Sequence, residues 1–135
     1  MTALSHVLSI DDDHINNFLM TQAFQRVVSD EINFKAVTNV DDAFQELNLY
    51  EKDNETFPDL ILVDINLPLK NGFDFLDEYE KRFFPENKNC RLIMLTSSIR
   101  ESDAEKAKSY SAVTGFYSKS EVISLVNKIV ETHFS

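Results

Sequence analysis

The chain has two glycines, three prolines, one cysteine and no tryptophan in 135 residues. So little glycine and proline argues against a disordered or repetitive segment, since those compositions are rich in residues that cannot build a packed core. The lone Cys90 has no partner for an internal disulfide and fits a reducing, cytoplasmic compartment. It reads as a small apolar filler near the start of a strand. No stretch approaches the ~20 apolar residues that a membrane span needs, so no membrane is expected. The N-terminus has no basic region leading into an apolar core, which argues against a secretory leader. Positive charge is scarce as well: 13 Lys and Arg against 23 Asp and Glu leave a formal charge of −10. No Lys/Arg run exceeds two residues, so a polyanion would be repelled and nucleic acid is not an expected partner. An acidic chain of this kind is better suited to holding a cation.

What is present is a full core for one domain, with 43% hydrophobic residues, including 11 Phe and 4 Tyr. Strand-like and helix-like periods alternate five times, the pattern of a (βα)5 α/β unit with a parallel sheet over residues 1–135. Short apolar strands are expected at 7–10, 32–37, 60–63, 92–95 and around 116–117. Between them, Ile15, Phe18, Leu19, Ala23, Phe24, Val27 and Val28 recur at a helical period. Asn39 can cap a second helix, with Asp41 and Asp42 in its first turn and Val40, Ala43, Phe44 and Leu47 as its stripe. The polar stretch 50–56 ends it, and Pro58 precedes the third strand. A turn rich in Pro68, Asn71 and Gly72 leads into a helix carrying Phe73, Leu76, Tyr79 and Phe83, which stops before Pro85. The stretch 101–111 is helical but weakly apolar. Ser120 can cap the last helix, whose face is Val122, Ile123, Val126, Ile129 and Val130.

Polar residues stand at the carboxyl ends of four of these strands. Asp11-Asp12-Asp13 follow the first, Asp64 the third, Thr96 the fourth and Lys119 the fifth. In an open parallel α/β sheet such strand ends converge on one crevice, so residues scattered along the chain should meet there. Three carboxylates in one crevice repel, and either a shared proton or a bound cation relieves them. Mg²⁺ prefers oxygen ligands, keeps several waters and takes one or two carboxylates plus a phosphate oxygen. Asp11, Asp12 and Asp64 supply such ligands, and the backbone carbonyl of Asn66 can add another. Lys119 brings a further positive charge and Thr96 a hydroxyl. This set suits phosphoryl transfer, which needs mainly positioning and neutralisation of the equatorial oxygens. No nucleophile–base pair of the protease type is visible: His14 reads as a surface residue, and His6 and His133 lie near the termini.

Each residue also has a plainer reading. Asp11–Asp13 can be a strand end and helix cap, Thr96 and Ser97 a helix cap, Lys119 a solvated lysine and Phe116 ordinary core. Asp41, Asp42, Asp59, Asp74 and Asp77 read as a solvated rim or helix first turns, not ligands. It is the four signals together, in this order, that set the plainer readings aside for Asp11, Asp12, Asp64, Thr96 and Lys119. A haloacid-dehalogenase-type phosphatase also uses Asp, Thr, Lys and Mg²⁺, but there the acidic pair comes last and the nucleophile is followed by a second Asp. Here Asp64-Ile65-Asn66 lacks it. A flavin-binding module would need a Ser/Thr/Gly-rich phosphate loop after the first strand, where this chain has three aspartates.

Over essentially its whole length the chain resembles the receiver domain of two-component response regulators. The matching stretches are Val7-Leu8-Ser9-Ile10-Asp11-Asp12-Asp13, residues 58–68 around Asp64, Asn71-Gly72-Phe73, Leu92-Ile93-Met94-Leu95-Thr96-Ser97 and Gly115-Phe116-Tyr117-Ser118-Lys119. The resemblance implies a flavodoxin-like, doubly wound five-stranded sheet of order 2-1-3-4-5 and a single receiver with no output domain. It implies that Asp64 accepts a phosphoryl group from a sensor histidine kinase or phosphotransfer protein. Asp12 would bind Mg²⁺ (or Mn²⁺) directly, Asp11 through water, and Asn66 through its main-chain oxygen. Thr96 would hydrogen-bond the phosphoryl group and Lys119 pair with it, while Thr96 and Phe116 would form the switch. The output would be a protein-interaction face of the fourth helix, fifth strand and fifth helix, also the implied surface of a homodimer, with no independent enzyme activity. A phosphorylation-independent scaffold of the same shape is the main alternative. One departure stands out: Ser120 follows Lys119 where the family usually has proline, so a trans bond is expected there. The segments 66–72, 96–99 and 119–120 are similar to the small stand-alone regulators associated with phytochrome-type kinases.

Overall fold

The computed structural model describes residues 4–52 and 56–134. Among them five strands and five α-helices alternate: β1 (His6–Ile10), α1 (His14–Val27), β2 (Asn33–Val37), α2 (Val40–Lys52), β3 (Leu60–Asp64), α3 (Gly72–Arg82), β4 (Arg91–Thr96), α4 (Glu101–Lys108), β5 (Val113–Ser118) and α5 (Val122–His133). A one-turn 3-10 helix at Phe84–Glu86 joins α3 to β4. Every strand pairing is parallel and the sheet order is β2-β1-β3-β4-β5. The expected doubly wound (βα)5 sheet is therefore the fold. The polar stretch expected to end α2 does so after Lys52, and its residues 53–55 lie outside the described residues.

Strand residues alternate between two cores because side chains alternate across a strand. Leu8, Ile10, Ile61, Val63, Leu92 and Met94 face α2, α3 and α4. Val7, Leu60, Leu62, Ile93 and Leu95 face α1 and α5. Central β3 is buried throughout, as its unbroken apolar run requires. The first core is aromatic: Phe44 stacks on Phe75 and Phe83, and Tyr79 bridges Phe75 and Phe83.

Three local expectations are corrected, the first of them in part. The apolar stripe read along α1 is the buried face only in its second half, where Ala23 and Phe24 are buried and Val27 and Val28 pack on the second core. In its first half Ile15 is 73% exposed and Phe18 61%, and Asn17 and Met20 are buried instead. The rotation of α1 is set at its start, where Asp13 caps the amides of Ile15 and Asn16 and Asn17 donates to the Asp11 carbonyl. Those bonds turn Asn17 and Met20 inward, one residue round from the stripe. At α5 the cap is Glu121, not Ser120; its carboxylate accepts from Ile123 and Ser124, which lowers its pKa. Asp59 is also no rim residue: its carboxylate accepts from the Ser5 and His6 amides and braces the start of β1 against β3.

Candidate functional site

Strand register builds the pocket. Ile10 pairs with Val63, so the next residues, Asp11 and Asp64, leave neighbouring strands side by side. Thr96 pairs with Ser118, and the Lys119 amide donates to the Thr96 carbonyl at 2.7 Å, which brings Lys119 to the same edge. Behind Asp64, Gly72 leaves no room for a side chain. A Cβ there would lie 2.7 Å from the Asp64 carbonyl oxygen and 3.1 Å from the Met94 methyl. Asn71 then starts α3 with a capping box, accepting from Phe73 and Asp74 while Asp74 accepts from Asn71.

The convergence expected from sequence is realised for Asp11, Asp12, Asp64 and Lys119. One carboxylate oxygen from each of the three aspartates lies within 4.8 Å of the other two. Lys119 Nζ donates to Asp11 Oδ2 at 2.7 Å and to Asp64 Oδ2 at 2.9 Å. Asp11 and Asp64 are buried, Asp12 is exposed and Lys119 is partly covered. Burial alone would lower the Lys119 pKa, but its bonds to Asp11 and Asp64 prevail and raise it. The ammonium is thus fixed in its charged form beside two carboxylates.

Thr96 is buried at the end of β4, but its hydroxyl turns to the following loop. Its Oγ1 donates to the Ser98 carbonyl at 3.0 Å. Asn66 is exposed in the loop after β3, and its amide donates to Asp64 Oδ1 at 3.0 Å. Phe116 is half-buried on β5, packed against the first core, and with Ile99 lines grooves on either side of it next to α4 and α5. His14 is exposed, as expected of a surface residue. The Lys119–Ser120 bond is trans.

Two residues that the sequence did not single out belong to this pocket. Asn16 Nδ2 donates to Asp11 Oδ2 at 2.9 Å, and Asn17 Nδ2 donates to the Asp11 carbonyl at 2.8 Å. A faint signal was available: polar residues that interrupt an apolar stripe in the first turn of a helix usually face something polar.

Known proteins share this fold. The family model described as the response regulator receiver domain matches residues 7–130. A two-component response regulator from Cytophaga hutchinsonii is 28% identical, with TM-score 0.83 and 96% of each chain covered. The phosphorylated cyanobacterial phytochrome response regulator RcpA is 26% identical, with TM-score 0.78, covering 97% of this chain and 94% of its own. Bacteriophytochrome response regulator RtBRR is 26% identical, with TM-score 0.75, covering 95% of this chain and 76% of its own. Among curated proteins none matches. The chain belongs to the receiver domains of two-component response regulators, a signalling family. Such receivers work with histidine kinases or phosphotransfer proteins and bind a divalent metal at their acidic pocket. Among the described residues, no helix is long and apolar enough to cross a membrane.

Proposed function

We propose that Asp64 is the phosphoacceptor of this receiver, served by Mg²⁺ or Mn²⁺ and switched by phosphoryl transfer from a histidine kinase or phosphotransfer protein. The observation that carries the reading is Lys119 Nζ held between Asp11 and Asp64, with a third carboxylate, Asp12, in the same cluster. The donor set is all hard oxygen, which fits Mg²⁺ and Mn²⁺ and does not favour soft metals. Asp11 is already engaged at both oxygens: Oδ1 accepts from the Asp13 amide, and Oδ2 from Asn16 and Lys119. Asp12 makes no hydrogen bond or ion pair among the described residues and is exposed. Direct contact to a cation therefore falls to Asp12, Asp64 and the Asn66 carbonyl, and Asp11 acts through water. The bound ion supplies neutralisation of phosphoryl oxygens and of the carboxylates around them.

In the transfer, the phosphorus–nitrogen bond of the donor phosphohistidine breaks and a phosphorus–oxygen bond to Asp64 forms. The imidazole nitrogen keeps the electron pair and takes up a proton. Lys119 exchanges its Asp64 contact for the new phosphoryl oxygens, and Thr96 releases the Ser98 carbonyl to donate to them. That release frees the loop ahead of α4, and Phe116 sits beside it at the groove shared with Ile99. The output is then a contact face of α4, β5 and α5, through which we also propose a homodimer. No enzymatic output of the receiver is proposed beyond self-catalysed phosphorylation and dephosphorylation, and its place of work is the cytoplasm. Intact mass after incubation with a small acyl phosphate tests the reading. Wild type with Mg²⁺ should gain one phosphoryl group; Asp64→Asn, and wild type with chelator, should gain none. A folded wild type that binds Mg²⁺ yet gains nothing would instead be a phosphorylation-independent scaffold.

A further inference from the structure

Asn16 offers an inference about how the pocket chooses its cation, and it rests on the reading just given. Asp11 accepts four bonds from the residues around it. The Asp13 amide reaches Oδ1 at 3.0 Å, Asn16 and Lys119 share Oδ2 at 2.9 and 2.7 Å, and Asn17 fixes the main-chain carbonyl at 2.8 Å. Lys119 also serves Asp64, and it must turn toward an incoming phosphoryl group. Asn16 has no such second duty among its side-chain contacts. Among the described residues, its amide is the one side-chain donor that keeps Asp11 Oδ2 engaged when Lys119 turns away. The placement is rigid, because the Asn16 main-chain amide is itself held by the Asp13 cap at 3.1 Å.

We propose that Asn16 is a positioning residue that keeps the Asp11 carboxylate out of direct contact with the cation and so selects Mg²⁺ over Ca²⁺. Mg²⁺ holds its waters tightly and demands octahedral geometry, so a carboxylate set back by one water suits it. Ca²⁺ is larger, takes six to eight oxygens in flexible geometry and gains from any further carboxylate that can swing inward. A neutral donor behind Asp11 thus favours the smaller ion without adding charge. Groups of this kind, which orient a ligand without touching the metal, typically change metal affinity by about 10–100-fold when removed.

The test is calorimetric titration of the unphosphorylated protein with MgCl₂ and with CaCl₂, on wild type, Asn16→Ala and Asn16→Leu. The readout is the ratio of the two dissociation constants, which a loss of fold or of general stability would not shift in one direction. In both variants the ratio should move toward Ca²⁺ by about tenfold. Asn16→Leu keeps nearly the shape of the side chain but cannot donate and adds no charge, so it serves where Asn16→Ala unfolds. A ratio within twofold of wild type in the folded variants overturns the proposal. Wild type that binds neither ion would instead overturn the reading of the pocket itself, so the two failures are told apart.

Discussion

The helices α3 and α4 flank the same edge of the sheet, yet they are built in opposite ways. α3 begins with a reciprocal capping box and buries Gly72, Phe73, Phe75, Leu76 and Tyr79. α4 begins at Arg100 with no side-chain cap, spans eight residues and buries Ala107 alone. Its firm attachments lie toward its far end, where Lys106 sits over the Phe73 ring and Tyr110 donates to Asp77 at 2.6 Å. The end nearest Thr96 has Ile99 exposed. Burial and capping are what hold a short helix in place, since propensity alone is marginal at this length. The pocket therefore has one fixed wall, behind Asp64, and one lightly held wall, ahead of Thr96. A charge event between them moves the second at far lower free-energy cost than the first.

The largest expected effect breaks the fixed wall. Phe75→Ala removes a fully buried ring from the aromatic stack and should destabilise the domain by about 3–5 kcal/mol in urea denaturation. Removal of Ile99, by contrast, should leave the denaturation midpoint almost unchanged. A cation should act next. Mg²⁺ at about 100 times its dissociation constant should stabilise wild type by about 2.7 kcal/mol over chelator, and Asp12→Asn should abolish most of that gain.

Capping separates the two helices at smaller scale. Asn71→Ala should cost about 1 kcal/mol, because it removes the side-chain oxygen that accepts from the Phe73 and Asp74 amides and leaves only the Asp74 half of the α3 capping box. Arg100→Asp should instead slow amide exchange in α4 by supplying the missing cap and a favourable charge at the positive helix end. The smallest effect is at the α3–α4 tie. Burial and the bond to Asp77 raise the Tyr110 pKa to about 12. A pKa raised on folding stabilises the protein fully below the unfolded value of about 10, and that contribution is lost as pH rises from there toward 12. Tyr110→Phe should remove this alkaline component of the stability curve, and amide exchange near Tyr110 should report the loss ahead of α3.

The contrast between the walls also marks where the sequence was readable. The strands, the order of helices and the four strand-end signals followed from apolar runs and from the rule that parallel strands converge at their carboxyl edge. The weak stripe of 101–111 already announced a lightly held α4. What misled was α1. Ile15, Phe18 and Leu19 give a sound helical period, but the period says only that a face exists. Which face turns inward was decided by Asp13 and Asn17, polar residues whose bonds to the strand end outrank the stripe. Asn16 was missed for the same reason, since its partner Asp11 is distant only in kind, not in sequence. Ser120 and Glu121 show the limit of cap reading: both can cap, and Glu121 reaches the amides of Ile123 and Ser124.

The most direct measurement is chemical trapping of the modified residue. After acyl phosphate and Mg²⁺, borohydride reduces an aspartyl phosphate to homoserine, and peptide mass spectrometry locates it. Homoserine at position 64 alone is the expected result. Homoserine at 11, 12 or 13, or none in a protein that has gained a phosphoryl group, would contradict the account.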